Sequence, residues 1–375
     1  MKIILAGGGT GGHTFPLIAV LREIKRHSLN AIDFLYLGPK DQFTYEAFLK
    51  EGIETCFCNA GKVRRYGGFS VFINNLIDVF FITPIGIMQA FIKIYFYMPD
   101  LVFSKGGYGS FPVIIAATLL GVPVILHESD VIPGKTNKLL ASFAFKIYTA
   151  FPEKNVSFFP LKKMVQMGNP IRENILNGSA QKGKEIFNLN FEKPTVLFLG
   201  GSQGSTRINE LIIQIIPEIL KYFEVIHQTG FEDLERVKKY AKALIKEDLS
   251  SEYHAYPFLN EEEIKSAYAV SDIIVARAGA GTIFEISANG KPSILIPLPE
   301  AAQNHQLKNA LTYAKLTQSA IVIEEKNLTP NFFLAELKNI FQFKNVKRLG
   351  EQAKQFSIPN SAEIIAKDII KFLES

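Results

Sequence analysis

The chain opens with a short apolar strand that runs directly into a glycine-rich turn. Residues 3–6 are apolar, and residues 7–13 comprise five glycines, one threonine and His13. Glycine has no Cβ atom, so the backbone can turn sharply and approach a ligand closely. A helix is predicted from residue 15, with Pro16 in its first turn, and the unpaired N–H groups of a helix start suit a phosphate. The chain is therefore expected to begin with a strand–loop–helix unit that holds an anion beside an imidazole.

The same turn also resembles a dinucleotide-binding fingerprint. Gly7, Gly9 and Gly12 have the G-x-G-x-x-G spacing, which is weak evidence by itself. An NAD site also needs an acidic residue at the end of the second strand, where it binds the ribose. The second strand is predicted at 33–37, and Asp33 lies at the wrong end of it. A dinucleotide is therefore disfavoured.

Size and composition favour a two-domain protein of a reducing compartment. At about 150 residues per domain, 375 residues suggest two domains, and a hydrophobic fraction of 47% can fill two cores. The formal charge of +5 is too small an excess to indicate nucleic-acid binding. Cys56 and Cys58 are the only cysteines, and they are interpreted as ordinary strand residues. The chain reaches its first glycine after only a few residues, so no signal peptide is expected.

Apolar strands alternate with helical stretches along the chain, which is typical of a parallel sheet covered by helices. In the first half, strands are predicted at 2–6, 33–37, 54–58, 100–104, 122–127 and 145–149, and helices at 15–27, 42–50, 70–97, 111–120 and 135–143. In the second half, strands are predicted at 195–199, 224–228, 253–256, 272–276, 293–297 and 320–323, with a helix over 205–220 and others between the later strands. The predicted fold class is α/β.

A second strand–glycine–helix unit, at residues 195–220, divides the chain into two similar halves. With the boundary in the turn 167–170, the predicted domains are 1–168 and 169–359. Ligands of open α/β sheets bind beyond the carboxyl ends of the strands, so the site is expected in the cleft between these domains. The C-terminal segment 360–375 contains an amphipathic helix, which is expected to pack back on the first domain.

Residues 69–98 form an unusually apolar segment. Polar residues and Pro84 interrupt it, so a helix pair, or one helix kinked at Pro84, is predicted rather than a membrane span of about 20 apolar residues. Lys62, Arg64 and Arg65 precede the segment, and an apolar face beside cations is typical of proteins that rest on an anionic membrane surface. The residues alone leave a fully buried helix equally open.

Three further clusters follow predicted strands. They are Lys-Gly-Gly-Tyr-Gly-Ser at 105–110, His-Glu-Ser-Asp at 127–130 and Ala-Arg-Ala-Gly-Ala-Gly-Thr at 276–282. The third cluster leads into a helix that is predicted to carry Glu285 in its first turn. A glycine turn at the start of a helix can again hold a phosphate. Glu285 then has two interpretations: a residue that caps the helix, or a carboxylate that accepts the two hydroxyls of a ribose.

Seven motifs together resemble the MurG family, the bacterial glycosyltransferases that add N-acetylglucosamine to the lipid-linked muramoyl-pentapeptide precursor of peptidoglycan. In the family's order, the motifs are Gly-Gly-Thr-Gly-Gly-His (8–13), Gly-Gly-Tyr (106–108), Leu-His-Glu (126–128), Gly-Asn-Pro-Ile-Arg (168–172), Gly-Gly-Ser-Gln-Gly (200–204), Arg-Ala-Gly-Ala-Gly-Thr-Ile-Phe-Glu (277–285), and His-Gln with Asn-Ala (305–306 and 309–310). The resemblance implies a GT-B fold, with two Rossmann-like domains around a cleft. It also implies a hexosyltransferase whose donor is UDP-N-acetylglucosamine and whose acceptor is undecaprenyl-pyrophosphoryl-N-acetylmuramoyl-pentapeptide, lipid I.

The resemblance also implies roles for individual residues of the donor site. Leu259 would contact uracil through its backbone, Glu285 would hold the ribose hydroxyls, and Gln306 would contact the sugar hydroxyls. The other residues of the implied donor site, several of them around the pyrophosphate, are Thr10, Gly11, Gly12, Arg172, Ser202, Ala280, Gly281, Thr282, Ile283 and Phe284. Asp130 also belongs to this site, at a position where the family usually has asparagine. A carboxylate can accept a hydrogen bond from a sugar hydroxyl but cannot donate one.

The reaction implied by the resemblance is one displacement at the anomeric carbon, in which the muramoyl 4-hydroxyl attacks, UDP leaves and the configuration inverts from α to β. His13, Tyr108 and Glu128 match polar positions that the family places on the acceptor side. A general base of near-neutral pKa contributes about 10²–10⁴-fold, and His13 is the first candidate and Glu128 the second. The sequence has no Asp-x-Asp pair at a strand end, so neither a metal ion nor another cofactor is expected.

A lipid-linked acceptor implies a peripheral enzyme at the cytoplasmic face of the bacterial inner membrane, and it favours an exposed apolar face at 69–98. The implied partners are UDP-N-acetylglucosamine, lipid I, the anionic membrane surface and other cell-wall and division proteins, without nucleic acid. Two other functions stay open. One is a different UDP-sugar enzyme, such as a glycolipid glycosyltransferase or an epimerase, and the other is a non-catalytic nucleotide-binding scaffold.

Overall fold

Two parallel sheets, one in each of two units of the chain, organise the fold. A computed structural model describes residues 1–8, 11–62, 64, 68–171, 175–190, 192–201, 204–343 and 346–375. Unit 1 comprises Met1–Ile171 and Pro359–Ser375, and unit 2 comprises Arg172–Ile358. In both units helices connect the strands, as the alternating pattern predicts, so the predicted α/β class is confirmed.

Unit 1 is built on a seven-stranded parallel sheet with the order β3-β2-β1-β4-β5-β6-β7. Its elements are β1 (Lys2–Ala6), α1 (Gly11–His27), β2 (Asp33–Gly38), α2 (Gln42–Lys50), β3 (Glu54–Phe57), α3 (Phe69–Ile77), α4 (Thr83–Tyr97), β4 (Leu101–Ser104), α5 (Phe111–Leu119), β5 (Val124–Glu128), α6 (Lys135–Leu140), β6 (Lys146–Thr149) and β7 (Met164–Gln166). Every residue of β4 and β5 is buried. Central parallel strands are covered on both faces, which explains why they are continuous apolar runs in the sequence.

Unit 2 repeats this plan with six parallel strands in the order β10-β9-β8-β11-β12-β13. Its elements are α7 (Ala180–Phe187), β8 (Thr195–Leu199), α8 (Thr206–Ile219), β9 (Glu224–Gln228), α9 (Leu234–Leu244), β10 (Tyr253–Tyr256), α10 (Glu261–Val270), β11 (Ile273–Ala276), α11 (Ala280–Ala288), β12 (Ser293–Leu295), α12 (His305–Thr317), β13 (Ala320–Val322), α13 (Pro330–Phe343) and α14 (Val346–Phe356). Ile212 and Ile216 of α8 pack with strand residues such as Phe198 in one buried cluster. The apolar stripe of α8 thus covers one face of the sheet.

The C-terminal helix, α15 (Ser361–Glu374), packs on unit 1. Its buried residues Ile365 and Ile369 share a cluster with Leu17 and Leu21 of α1. Asp368 accepts a hydrogen bond from the Lys146 ammonium group at 2.8 Å and another from the Tyr148 hydroxyl at 2.5 Å. The last turns of the chain are therefore part of the first sheet's helical cover.

In unit 1 one local prediction was wrong, and one strand was not predicted. Helix α1 begins at Gly11 rather than at residue 15, so Pro16 lies inside the helix and not in its first turn. The first turn is anchored by tertiary packing, because the hydroxyl oxygens of Thr14 and Thr44 in α2 lie 3.0 Å apart. Strand β7 was not predicted, since three residues at a sheet edge are too short to give a periodic signal.

The apolar segment forms one long helical stretch in which a π-helical turn (Asp78–Ile82) joins α3 to α4. The hydroxyl of Thr83 donates to the carbonyl of Asp78 at 2.7 Å across this turn, and Pro84 then falls in the first turn of α4, where its missing N–H is tolerated. The buried residues of α4 are Gly86, Ala90 and Ile94. The fully buried alternative is therefore wrong.

By length and composition alone, Phe69–Tyr97 could cross a membrane, and only 6% of its most apolar window is buried within the protein. The aromatic residues of its outer face are well exposed, among them Phe80 at 65% and Phe81 at 64%. Of the predicted cations, Arg64 forms an ion pair with Asp78 at 2.6 Å, and Arg65 lies outside the described residues. Contiguous apolar exposure on this scale marks an interaction surface.

Candidate active site

The carboxyl ends of β1 and β4 lie side by side where the strand order of unit 1 reverses. In open α/β sheets such a reversal leaves a crevice beyond the strand ends, and ligands bind there. The loop after β1 starts with Gly7 and Gly8, and the loop after β4 consists of residues 105–107. The hydroxyl of Tyr36 donates to the carbonyl of Gly7 at 2.7 Å, which fixes the first loop where it leaves the sheet.

At Gly107 the second loop lies close to the imidazole of His13. Its φ angle is 82°, in the region that favours glycine, and a Cβ atom added there would lie 3.0 Å from Cε1 of His13. Any side chain at this position would therefore displace the ring. Gly107 is therefore required both by its positive φ angle and by the close approach of the His13 ring.

His13 lies in the first turn of α1, and its side chain is half-buried. Its Nδ1 atom lies 3.2 Å from the carbonyl oxygen of Gly8. A carbonyl only accepts, so Nδ1 carries the hydrogen and, in the neutral ring, Nε2 carries the lone pair. Burial, and then the positive charge of Lys105, lower the pKa of His13 below its ordinary value, although the Gly8 carbonyl and Asp130 partly oppose this shift. The ring is therefore neutral at physiological pH and can take a proton at Nε2.

Glu128 ends β5, and three donors hold its buried carboxylate. Oε1 accepts from the backbone N–H of Asp130 at 2.9 Å. Oε2 accepts from the N–H of Gly134 at 3.2 Å and from the side-chain amide of Asn137 at 2.9 Å. Burial, and then the Asp130 carboxylate, raise the pKa of Glu128 to about 7, while the hydrogen bonds from Asp130 and Asn137 and the charge of Lys105 oppose the rise. The group titrates near neutrality, but both of its oxygens already hold the turn after β5.

Tyr108, Asp130 and the first glycines of α1 all lie in unit 1, just beyond the ends of its strands. Tyr108 begins a 3-10 turn after β4, and burial raises the pKa of its half-buried hydroxyl, which therefore stays protonated. Asp130 lies two residues beyond β5 and is partly exposed. Gly11 and Gly12 are the first two residues of α1, whereas Thr10 lies outside the described residues.

Unit 2 has a corresponding reversal between β8 and β11. Gly279 is the N-cap of α11, and Ala280, Gly281 and Thr282 are the first three residues of that helix. Among the described residues, a Cβ atom added at Gly279 or Gly281 would meet nothing within 4 Å. First-turn N–H groups have no partner within their helix. The turn therefore offers backbone amides and the positive end of a helix to an anion, as the sequence predicts.

Arg277 fixes the surroundings of this turn. Its guanidinium group donates to the Ser205 hydroxyl at 2.7 Å and to the Ile296 carbonyl at 3.2 Å, and it forms an ion pair with Glu325 at 2.5 Å. Ser205 is the N-cap of α8, and its hydroxyl accepts from the N–H of Ile208 at 3.4 Å. One side chain thus joins the ends of several neighbouring strands.

Glu285 is the sixth residue of α11 and lies in its second turn. The predicted first-turn position was wrong because the helix starts at Ala280, and a capping role for Glu285 is wrong with it. Its Oε2 accepts a hydrogen bond from the hydroxyl of Tyr268 at 3.2 Å. The side chain is partly exposed, so its carboxylate is oriented by Tyr268 and also accessible from solvent.

Burial limits what the other predicted donor residues can contribute. Leu259, Ile283 and Phe284 are at most 2% exposed, so their side chains are not available to a ligand. Gln306 is the second residue of α12, and its side-chain carbonyl accepts from the N–H of Leu298 at 3.0 Å. Arg172 and Ser202 lie outside the described residues.

Comparison with known proteins identifies the family. Residues 3–149 match the glycosyltransferase family 28 N-terminal domain, and residues 195–369 match the glycosyltransferase family 28 C-terminal domain. A protein of Clostridium tetani, named UDP-N-acetylglucosamine–N-acetylmuramyl-(pentapeptide) pyrophosphoryl-undecaprenol N-acetylglucosamine transferase, is 36% identical over 98% of each chain. The chain belongs to the MurG family.

Solved structures agree with this membership at the level of the fold. The crystal structure of Acinetobacter baumannii MurG is 24% identical, covers 99% of both chains and has a TM-score of 0.75. The UDP-GlcNAc 2-epimerase of Neisseria meningitidis, solved bound to UDP-GlcNAc, is 12% identical, with 99% of this chain and all of that chain covered and a TM-score of 0.67. The predicted GT-B fold and the assignment as a glycosyltransferase are thus confirmed for this MurG family chain.

Two residues that organise the unit 1 site could not be singled out by their motifs. Asn137 lies in α6, outside every MurG family motif of the sequence, yet it holds Glu128, and its Oδ1 would lie 2.0 Å from a Cβ atom added at Gly106. Lys105 directly precedes the MurG family motif Gly-Gly-Tyr (106–108). It is only 3% exposed, and its partners are distant in the sequence. A lysine that follows a buried strand directly and precedes two glycines was the available signal.

Proposed function

We propose that this chain transfers N-acetylglucosamine from UDP-N-acetylglucosamine to the 4-hydroxyl of the muramoyl group of lipid I, with inversion from α to β, and so makes lipid II for peptidoglycan synthesis. The single observation that carries the proposal is the match, over 98% of each chain, to a relative that bears this activity in its name. In this proposal, the site at the strand-order reversal of unit 2 binds the nucleotide, and the site at the reversal of unit 1 supplies the base.

In the proposal, unit 2 binds the nucleotide. The first-turn amides of α11 face the pyrophosphate, together with Arg172 and Ser202, and Glu285 accepts hydrogen bonds from the ribose hydroxyls. A carboxylate accepts two hydroxyls well, and Tyr268 already orients it. The backbone of Leu259 contacts uracil, and the amide NH₂ of Gln306 meets the sugar hydroxyls. The leaving diphosphate is stabilised by helix amides and an arginine rather than by a metal ion.

Unit 1 provides the base and receives the acceptor. His13 takes the proton from the muramoyl 4-hydroxyl at Nε2, because its ring is neutral and Nδ1 is held by Gly8. The oxygen then bonds to the anomeric carbon while the bond to UDP breaks. Glu128 is the second candidate, and its three donors favour a role in shaping the loop instead. Tyr108 belongs to the acceptor side, whereas Asp130, Gly11 and Gly12 contact UDP-N-acetylglucosamine.

The lipid acceptor gives the exposed apolar helix a function. The outer face of Phe69–Tyr97 would rest in the interface of the cytoplasmic leaflet, where a lipid-linked substrate is delivered. Nearby cations such as Lys62 would favour anionic headgroups. Binding at the inner-membrane surface and association with other cell-wall and division proteins belong to the proposal.

A turnover assay tests the function directly. Radiolabelled UDP-N-acetylglucosamine is incubated with a short-chain lipid I analogue, and in parallel with diacylglycerol or with no acceptor. Label is expected only in the muramoyl product. Label in the glycolipid would favour a glycolipid transferase, and conversion of the UDP-sugar without acceptor would favour an epimerase. Binding of the UDP-sugar without any product would leave only a scaffold, and each of these results contradicts the proposal.

Charge substitutions test the membrane face. Phe80→Glu and Phe81→Glu should each weaken binding to anionic vesicles by at least about tenfold, because an aromatic contact is lost and a charge of the wrong sign is added. Leu29→Glu, at a residue 98% exposed in the loop after α1, is the matched control and should bind vesicles as the wild type does. UDP affinity should be equal in all three variants. Undiminished vesicle binding by the two phenylalanine variants would rule out this face.

A further inference from the structure

A lysine that no assigned role includes is buried at the centre of the unit 1 site. Lys105 follows β4 directly and is only 3% exposed. Its ammonium nitrogen lies 2.6 Å from Nδ1 of His127 and 3.3 Å from Oδ1 of Asn169, and it also donates to the hydroxyl of Ser129. An ammonium group has three N–H donors and no acceptor. All three donors are therefore used by three acceptors from different parts of the chain.

The hydrogens around this lysine can be assigned without conflict. Nε2 of His127 lies 2.8 Å from the carbonyl of Gly168, so Nε2 carries the hydrogen and Nδ1 accepts from Lys105. The Ser129 hydroxyl accepts from Lys105 and donates to Oδ1 of Asn169 at 3.0 Å. The protonated lysine gives one N–H to each of its three acceptors, whereas a neutral amine would have only two N–H groups and would turn its lone pair toward one of the three acceptor atoms. The cluster is thus built for the ammonium form, although burial works against a charge here.

The cluster connects the elements that carry the site. Lys105 extends from the end of β4, His127 and Ser129 flank Glu128 at the end of β5, and Asn169 follows β7. The backbone carbonyl of Asn169 also accepts from the hydroxyl of Ser361 at 2.7 Å, which brings in the start of α15. One buried charge therefore fixes the position of three strand ends and of the turn that presents Glu128.

The titratable neighbours of Lys105 include both candidate bases, His13 and Glu128, together with His127 and Asp130. Burial lowers the pKa of His13 in α1 and of His127 in β5, and the charge of Lys105 lowers both further. The negative charges of Glu128 and Asp130, at and just beyond the end of β5, act on Lys105 in the opposite direction and raise its pKa. Burial lowers the pKa of Lys105 to about 8, and the two carboxylates limit this decrease. A fall of the pKa to this range lets the lysine lose its third N–H in mildly alkaline solution.

We propose, on the basis of the transferase function above, that Lys105 is a positioning residue for the reaction: its buried ammonium group holds His127, Ser129 and Asn169 together and so fixes the Glu128–Asp130 turn beside His13. Lys105 itself does not touch the substrates. A buried ionic group contributes little net stability compared with apolar residues of equal volume, so specific positioning is the consistent reason for its presence.

Lys105→Met tests the proposal, with Lys163→Met as the matched control. The Lys163 ammonium group also contacts three oxygens in unit 1, the carbonyls of Ala141, Ser142 and Ala144 at 3.5, 2.8 and 2.7 Å, but away from these catalytic groups. Displacement of a catalytic group by about 1 Å costs on the order of 10²-fold, so Lys105→Met should lower kcat by about 10- to 100-fold while the dissociation constant of UDP stays unchanged. Lys163→Met should retain the wild-type kcat even if it melts at a lower temperature.

The pH profile separates positioning from mere support of the fold. The wild-type kcat should fall as the pH rises through about 8, because Lys105 then loses a donor, and this alkaline limb should vanish in Lys105→Met and persist in Lys163→Met. If Lys105→Met does not fold, Ser129→Ala replaces it. Removal of one acceptor should move the limb to lower pH. A wild-type kcat in Lys105→Met, an alkaline limb that persists in it, or an unmoved limb in Ser129→Ala would overturn the proposal.

The wild-type measurement distinguishes this failure from failure of the function. If the wild type turns over the lipid I analogue while Lys105→Met behaves identically, only the role of Lys105 is wrong. If the wild type binds UDP but makes no product from the analogue, the transferase function is wrong, and the role of Lys105 is overturned with it.

Discussion

The two units share a sheet plan, and they differ in the polar groups at the point where the strand order reverses. In unit 1 the carboxyl ends of β1, β4 and β5 bring together His13, Lys105 and Glu128. Burial shifts the pKa of each group toward or below neutrality, and the charge of Lys105 lowers the pKa of His13 further. In unit 2 the corresponding loops present backbone amides at the start of α11 and the oriented carboxylate of Glu285. The same architecture thus carries the proposed proton-transfer site in unit 1 and the proposed anion-binding site in unit 2.

The placement of buried histidines shows the difference most clearly. His227 of unit 2 is fully buried, and burial lowers its pKa to about 3. It lies inside β9, where Nε2 lies 2.9 Å from Oδ1 of Asn209 and Nδ1 lies 2.7 Å from the hydroxyl of Tyr253. Both ring nitrogens therefore have hydrogen-bond partners inside the protein. His13 instead lies beyond a strand end, partly exposed. Position at the carboxyl edge, rather than residue type, separates a group that can exchange protons from one that cannot.

Replacement of His13 is the strongest test of this comparison. His13→Ala should lower kcat by about 10²–10⁴-fold, the usual contribution of a general base, and should leave the UDP dissociation constant unchanged because the nucleotide belongs to unit 2. His27→Ala, in the last turn of the same helix, is the control and should keep wild-type kcat. A kcat within twofold of the wild type in His13→Ala would remove the proton-transfer role from unit 1.

Replacement of Glu285 tests the other side of the comparison. Glu285→Ala should raise the donor KM on the order of 10- to 100-fold, which corresponds to the loss of charged hydrogen bonds to the ribose, with little change in the acceptor KM. Glu262→Ala removes an exposed carboxylate from the same unit and should leave both constants unchanged. Equal effects of Glu285→Ala on donor and acceptor would show that the carboxylate does not belong to a nucleotide site.

The sequence predicted the sheet strands well because parallel strands buried on both faces are continuous apolar runs. It also located both glycine turns, since a strand followed by glycines and a helix is a local pattern. The starts of α1 and α11 were less accessible to prediction. Pro16 indicated a later start for α1 than tertiary packing at Thr14 allows, and the shift of α11 moved Glu285 from a first turn to a second.

The hydrogen-bond network of the unit 1 site could not be predicted from local sequence patterns. Lys105 meets His127, Ser129 and Asn169 at sequence separations of 22, 24 and 64 residues, and only the strand order brings these partners together. Composition was equally silent on the apolar helix, because a buried helix and an exposed one can have the same residues. The exposure of a helix depends on which of its residues other elements cover. In α4 only Gly86, Ala90 and Ile94 are buried.

A smaller effect is expected where only the orientation of His13 is disturbed. Gly107→Ala places a methyl group 3.0 Å from the ring at a φ angle of 82°, and kcat should fall on the order of tenfold as the ring moves, with UDP binding unchanged. Gly121→Ala is a matched control, since it has a φ angle of 71° but, among the described residues, nothing within 4 Å of the added atom. The Gly121→Ala variant has a similar backbone strain but no contact with a ring. Similar losses of kcat in the two variants would mean that strain alone is responsible.

The acid limb of the pH profile gives the finest distinction within unit 1. Burial, and then Lys105, lower the pKa of His13 below its ordinary value of 6.5, so with His13 as the base the midpoint of the decrease in kcat/KM should lie below pH 6.5. Glu128 as the base would put the midpoint of the decrease near its own pKa of about 7. Measurement of kcat/KM for the acceptor from pH 5 to 8 therefore chooses between them, because the free enzyme's essential base determines this limb. A midpoint near 7 that disappears in Glu128→Gln would transfer the role of base from α1 to the end of β5.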